Sequence, residues 1–185
     1  MKTNTAFFFC FFYIFTFSQR HLTDVLIVKE NNDSLKVKVD IPMIKESSRV
    51  NIDEDSFFRK VKVVDDNGKK LYTVQPQDIK ELSFSDLDGK KKIYHKEISR
   101  NRLMQLLYDG NIKLYKQFIP QMHYTAIYYL FLDSKREPIK VGLFENNEKI
   151  LLRITESKPE LINKIKELKG GEDAMIEILK EFEES

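Results

Sequence analysis

The chain has 185 residues, 42% of them hydrophobic and 32% charged, with 31 Lys and Arg against 29 Asp and Glu. Nucleic-acid binders draw affinity from neutralised phosphates and carry a basic excess, so this near balance argues against a nucleic-acid partner. One cysteine and three histidines supply no thiolate zinc set and no H-E-x-x-H pair, and the nucleophile elbow, G-x-G-x-x-G, P-loop and C-x-x-C patterns are absent as well.

From the start of the chain, Lys2 is followed by a nearly unbroken apolar run from Ala6 to Phe17 that holds half of the fourteen Phe. A short basic n-region before an apolar h-region is the pattern of a secretory signal peptide. The run falls short of the roughly 20 residues a helix needs to cross the hydrocarbon core, and no later stretch approaches that length. Residues 1–18 are therefore expected to be removed, leaving no membrane span. Thr16 and Ser18 put small side chains where a signal peptidase requires them, which predicts cleavage before Gln19. A Phe-rich first core strand is the other reading of the run, and so dense an aromatic stretch suits it poorly. Cys10 follows Phe8 and Phe9, where a lipoprotein signal would have a small residue, so lipidation is disfavoured. The remainder is cysteine-free, without disulfides or a thiol nucleophile, and large enough to bury a core. An exported domain in the periplasm, at the outer envelope or outside the cell is the expectation.

Residues 19–145 read as a β-meander. Leu35, Val37, Val39 and Ile41 alternate with Lys36, Lys38 and Asp40, as in a half-buried strand. Further strands are predicted near Lys60–Val64, Lys70–Gln75, Glu81–Ser85, Lys91–Glu97 and Arg102–Tyr108. In the next, Ile112, Leu114 and Phe118 oppose Lys113, Tyr115 and Gln117. Asn67-Gly68, Asp88-Gly89 and Asp109-Gly110 recur at an even interval, and such dipeptides suit two-residue type I′ hairpins with positive φ at both centres. The strand His123–Asp133 is apolar on both faces and needs cover on both. One more strand is predicted near Ile139–Leu143.

Residues 146–185 change to a helical period on the same domain. Ile150, Leu151 and Ile154 begin it, Leu161, Ile162, Ile165 and Leu168 continue it, and Met175, Ile178, Leu179 and Phe182 complete it. Pro159 suits the first turn of the second helix, Gly170-Gly171 ends it, and Glu172 and Asp173 favour the start of a third. These helices are expected to cover the sheet, a dimer or partner surface being the alternative. The fold class is α+β: an antiparallel up-and-down meander, as a sheet or a partly closed barrel, with C-terminal amphipathic helices.

Candidate chemistry is sparse. His21, His95 and His123 have no ligand spacing and read as surface or packing residues. Lys90-Lys91-Lys92 reads as a solvated strand start beside a turn. Asp65-Asp66-Asn67-Gly68 resembles the middle of a calcium loop, but no Glu stands at the closing position, so a hairpin is expected. Tyr115, Tyr124, Tyr128 and Tyr129 could form a ligand platform in the absence of Trp, but tyrosines in strands more often pack with the hydroxyl reaching water. No catalytic, metal or cofactor-binding residue is singled out.

The leader ending in Phe17-Ser18-Gln19, the stretch Tyr72 with Val74-Gln75-Pro76-Gln77-Asp78-Ile79, the segment Asp109-Gly110-Asn111-Ile112-Lys113-Leu114-Tyr115, the pair Tyr128-Tyr129 and the closing Pro159-Glu160-Leu161 with Ile165 resemble a group of exported Bacteroidota proteins with no known activity. That resemblance implies an envelope or secreted setting and a β-rich domain with C-terminal helices. The leading expectation is a non-enzymatic binding or structural module of the cell envelope, with an envelope protein or a ligand as partner. The alternatives are a carrier of a small apolar ligand in a barrel and a hydrolase using dispersed carboxylates.

Overall fold

The structure, a computed structural model, describes residues 20–46, 49–53, 56–57, 60–97, 102–122, 125–135, 137–139, 146–168 and 171–184. The leader with its cleavage site, His123, Tyr124, Gly170 and most of the strand expected over Ile139–Leu143 lie outside the described residues.

Among the described residues, ten strands precede three helices: β1 (Arg20–Lys29), β2 (Ser34–Glu46), β3 (Arg49–Ile52), β4 (Val61–Val64), β5 (Lys70–Val74), β6 (Ile79–Ser85), β7 (Lys91–Lys96), β8 (Leu103–Asp109), β9 (Lys113–Pro120), β10 (Thr125–Leu132), α1 (Asn147–Ile154), α2 (Leu161–Lys166) and α3 (Glu172–Glu184). Nine strands form one antiparallel open sheet in the order β10-β9-β8-β7-β6-β1-β2-β4-β5, and β3 pairs with the outer end of β2. The α+β class, the antiparallel meander and the C-terminal helices are as the sequence predicts.

The meander runs in two directions from β1. One arm is β1-β2-β4-β5; the other starts when β6 returns to the free side of β1, with Leu26↔Ser83 and Ile27↔Leu82 as partners, and continues to β10. The link from β5 to β6 is only Gln75–Asp78, including a single 3-10 turn at Pro76–Asp78. In a flat sheet it would have to cover four strand spacings, about 19 Å, with five residue steps that reach at most about 18 Å when fully extended. The sheet therefore curls, bringing β5 back toward β6. Phe57, between β3 and β4, packs against Phe84 and Tyr94 with ring centroids 5.6 and 5.4 Å apart. Ile27, Ile41, Val61, Ile79 and Leu82 fill the curl and are fully buried.

The hairpins differ from the expected type. Within the three dipeptides, Gly68 and Gly89 have positive φ, +77° and +75°, while Asn67 and Asp88 do not. Each loop is a type I turn, closed by Gly68 N–H to Asp65 O and Gly89 N–H to Asp86 O at 3.0 Å, with the glycine forming the bulge that restores the strand twist. The leading aspartate organises both loops. Asp65 Oδ1 accepts from the amides of Asn67 and Lys69, and Asp86 Oδ1 accepts from those of Asp88 and Lys90. Gly110 does not have positive φ; its smallness serves close packing, because a Cβ there would overlap the Glu183 carboxylate and come within 2.6 Å of Tyr108 Cε1.

The helices cover one face of β8, β9 and β10, where Leu114 and Phe131 meet Leu151, Ile165, Met175, Ile178 and Leu179. Asn146 caps α1 by accepting the Lys149 amide at 3.0 Å. Two carboxylates fasten α3. At its start, Glu172 accepts from Tyr129 Oη at 3.1 Å and pairs with Lys116 at 2.8 Å. At its end, Glu183 accepts from Tyr108 Oη at 3.0 Å and from the Ile112 amide at 2.8 Å. An acidic residue in a last turn opposes the helix dipole, and these two donors offset that. On the other face, Met104, Tyr115 and Leu132 are buried beside Leu106 and Leu130. Tyr115, expected on a polar face, is a core residue because β9 is used on both sides.

Candidate functional site

A hollow of about 770 Å³ spans the curled arm and the neighbouring β6 and β7, lined by residues of β1, β2, β4, β5 and β6, the β4–β5 turn and Lys91 of β7. Strand alternation puts Asp24 and Leu26, Lys36 and Lys38, and Ser83 and Ser85 on one face. The pairs Leu26↔Lys36, Leu26↔Ser83 and Ser85↔Lys91 set them side by side. The hollow is therefore graded across the sheet. Hydroxyls and an ammonium stand on β6 and β7, and Val64, Leu71 and Tyr72 stand on β4 and β5. Leu71 and Tyr72 are 58% and 44% exposed, large apolar side chains left uncovered beside the hollow.

Its charges are mixed. Lys38 Nζ lies 2.8 Å from Asp66 Oδ1, and this contact raises the Lys38 pKa and lowers that of Asp66. Asp65 is engaged by turn amides. Among the described residues, Lys36 and Lys91 have no ion-pair partner. A second, smaller cavity of about 300 Å³ lies beside the ion pair of Lys62 Nζ with buried Asp40 Oδ2, at 2.7 Å.

Of the residues considered from sequence, Asp65, Asp66 and Lys91 line the hollow, whereas His21, His95, Tyr115, Tyr128 and Tyr129 do not. His95 is half-buried in β7, its Nδ1 2.9 Å from Tyr115 Oη and its Nε2 3.5 Å from Glu81 Oε2. Tyr115 is only 1% exposed, so this chain of contacts ties β6, β7 and β9 together inside the sheet. His21 is half-buried in β1. Tyr115 and Tyr128 share a face by register, Tyr129 points to the opposite one and donates to Glu172, and no single Tyr platform forms from these three. Of the three lysines, Lys90 lies in the turn, Lys91 joins the hollow and Lys92 continues β7. Among the described residues, no group of three or more His, Cys, Asp or Glu could hold a metal, and no helix is long and apolar enough to cross a membrane.

The hollow was missed in the sequence because it joins segments far apart in the chain, and its members look like ordinary strand residues one by one. No protein-family model, curated protein or solved structure matches the chain.

Proposed function

We propose that the chain is an exported binding module that seats a small, partly apolar ligand in the hollow. The observation that carries this reading is a cavity of about 770 Å³ with exposed apolar walls and a few polar groups, inside the roughly 300–1,000 Å³ range of small-molecule sites. Export is supported by the charged start and apolar run of residues 1–18 and by the cysteine-free remainder. The curled core is filled by Ile27, Ile41, Val61 and Leu82, which favours the hollow over a barrel lumen as the ligand's seat. For the hydrolase alternative, the carboxylates lining the hollow offer little. Lys38 holds Asp66 below its ordinary pKa, the wrong direction for a general acid, and Asp65 is committed to its turn.

The test is titration of the purified chain with N-phenyl-1-naphthylamine, a neutral apolar dye that fluoresces when sheltered. Saturable binding at one dye per chain is expected, and Leu71→Asp should weaken it by about tenfold or more, since burying a leucine side chain contributes more than the free energy of one decade. Leu71 is exposed, so its melting temperature should hold. No saturable binding, or binding indifferent to Leu71→Asp, would overturn the reading.

A further inference from the structure

We infer that the hollow selects a single-chain amphiphile with a carboxylate head. This rests on the binding reading above and adds the chemistry of the ligand. The strand order β7-β6-β1-β2-β4-β5 gives the hollow two unlike ends. On the β6–β7 side, Ser83, Ser85 and Lys91 offer two hydroxyl donors and an ammonium. On the β4–β5 side, Leu71 and Tyr72 offer apolar surface above buried Val64. A molecule that satisfies both ends has a head that accepts hydrogen bonds and an apolar tail.

The sign of the head follows from which charges are already engaged. Asp66 holds Lys38, while Lys91 and Lys36 have no ion pair among the described residues. Against these two cations stands Asp24 on the intervening strand, which contributes to the field that raises the Lys38 pKa. Asp65 also keeps its charge, so the lining as a whole is balanced. Its carboxylates stand on β1 and the β4–β5 turn, however, and Lys91 beside Ser83 and Ser85 makes the β6–β7 end the one suited to an anion. Among the described residues no arginine lines the hollow, and without a planar fork of donors the lysines act as point charges. A single ammonium at the β6–β7 end balances one negative charge, which suits a monovalent carboxylate better than a doubly charged phosphate. The carboxylate sits by Lys91, Ser83 and Ser85, and the chain lies toward Leu71.

Competition against the bound naphthylamine dye tests this, with dodecanoate, 1-dodecanol, dodecyltrimethylammonium and dodecyl phosphate below their micelle-forming concentrations. Dodecanoate should displace the dye at concentrations about tenfold below dodecanol, the scale of one charge-assisted hydrogen bond, and the ammonium compound should be weakest. Lys91→Gln should remove the advantage of dodecanoate without changing dodecanol, and Asp24→Asn should tighten dodecanoate. Equal displacement by all head groups, tighter binding of the phosphate, or a Lys91→Gln protein that still prefers dodecanoate would overturn the carboxylate assignment. If the dye binds and Leu71→Asp weakens it while the head group makes no difference, the binding reading stands and this inference falls. If the dye never binds, both fall.

Discussion

The two arms of the sheet solve the same problem differently. β1, β2, β4 and β5 curl so that the sheet covers its own apolar face, with Phe57 inserted against Phe84 and Tyr94. β8, β9 and β10 instead lend their face to three helices, which are pinned through Glu172 and Glu183. A sheet that curls over itself uses its hydrophobic side chains on one another. A sheet covered by helices depends on segments that arrive late in the chain. The hollow lies where the curled arm meets β6 and β7, while the helix-covered strands β8, β9 and β10 stand apart from it.

The largest effects separate the two cores. Leu82, in the curl, and Leu179, beneath the helices, are both fully buried. Truncating either to Ala should cost about 2–5 kcal/mol, the transfer term plus the cavity left behind. If the arms share one cooperative unit through β6 and β7, both variants unfold in a single denaturant transition shifted to a similar degree. Two transitions, with Leu179→Ala moving only one, would mean that the curled arm folds without its neighbour.

The sequence disclosed one arm better than the other, and for a physical reason. Strands from β4 to β9 were legible from alternation such as Leu35, Val37, Val39 and Ile41 in β2 and from the turn residues between them, Asp109-Gly110 deciding for a strand over Arg102–Tyr108, whose leucines also suit a helix. The helices were legible from their period and from Glu172 and Asp173 at the start of α3. β1 was not anticipated: as a central strand it presents Val25, Leu26, Ile27 and Val28 as a continuous apolar run, without alternation. β3 spans only Arg49–Ile52. The pairing of β6 with β1 is a long-range choice that no local pattern encodes. The turns carried a sharper signal than the dipeptides suggest, since Asp65 and Asp86 each stand three residues before the glycine that closes the bulge. The hollow needed the curl and the β6–β1 pairing together, so Asp65, Asp66 and Lys91 were legible as turn and strand residues but not as members of one site.

A smaller difference is expected between two glycines. Gly110→Ala should cost about 1–3 kcal/mol, as overpacking typically does, because the added methyl displaces Glu183 and crowds Tyr108. Gly89→Ala meets open space, and its cost comes only from forcing a non-glycine residue to φ +75°, about 1 kcal/mol. Thermal melts of both variants decide the point. Adding Glu183→Ala to each should erase most of the Gly110→Ala penalty and none of that at Gly89. Additive effects at Gly110 would show that the contact with Glu183 is not what makes its smallness necessary.

The smallest effect concerns protons at the fastenings of α3. The Tyr108 and Tyr129 phenols are both pushed up to about 12 from an ordinary 10.0, first by burial and then by the neighbouring carboxylates Glu183 and Glu172. A raised folded-state pKa means that the folded chain keeps a proton the unfolded chain releases. The stability it brings is therefore complete below pH 10 and is lost as pH rises toward about 12. Glu183→Gln keeps an acceptor for the Tyr108 hydroxyl and the Ile112 amide but removes the negative charge. Tyr108 should then titrate at lower pH, though still above 10.0, because burial remains. Tyr129, with Glu172 intact, should not move and serves as the internal reference. Ultraviolet titration of phenolate, with Tyr108→Phe and Tyr129→Phe proteins to assign the two steps, measures this directly. A Tyr108 titration unchanged by Glu183→Gln would mean that the end of α3 is held to the β8–β9 turn by packing alone, and that only the Glu172 end is fastened by charge.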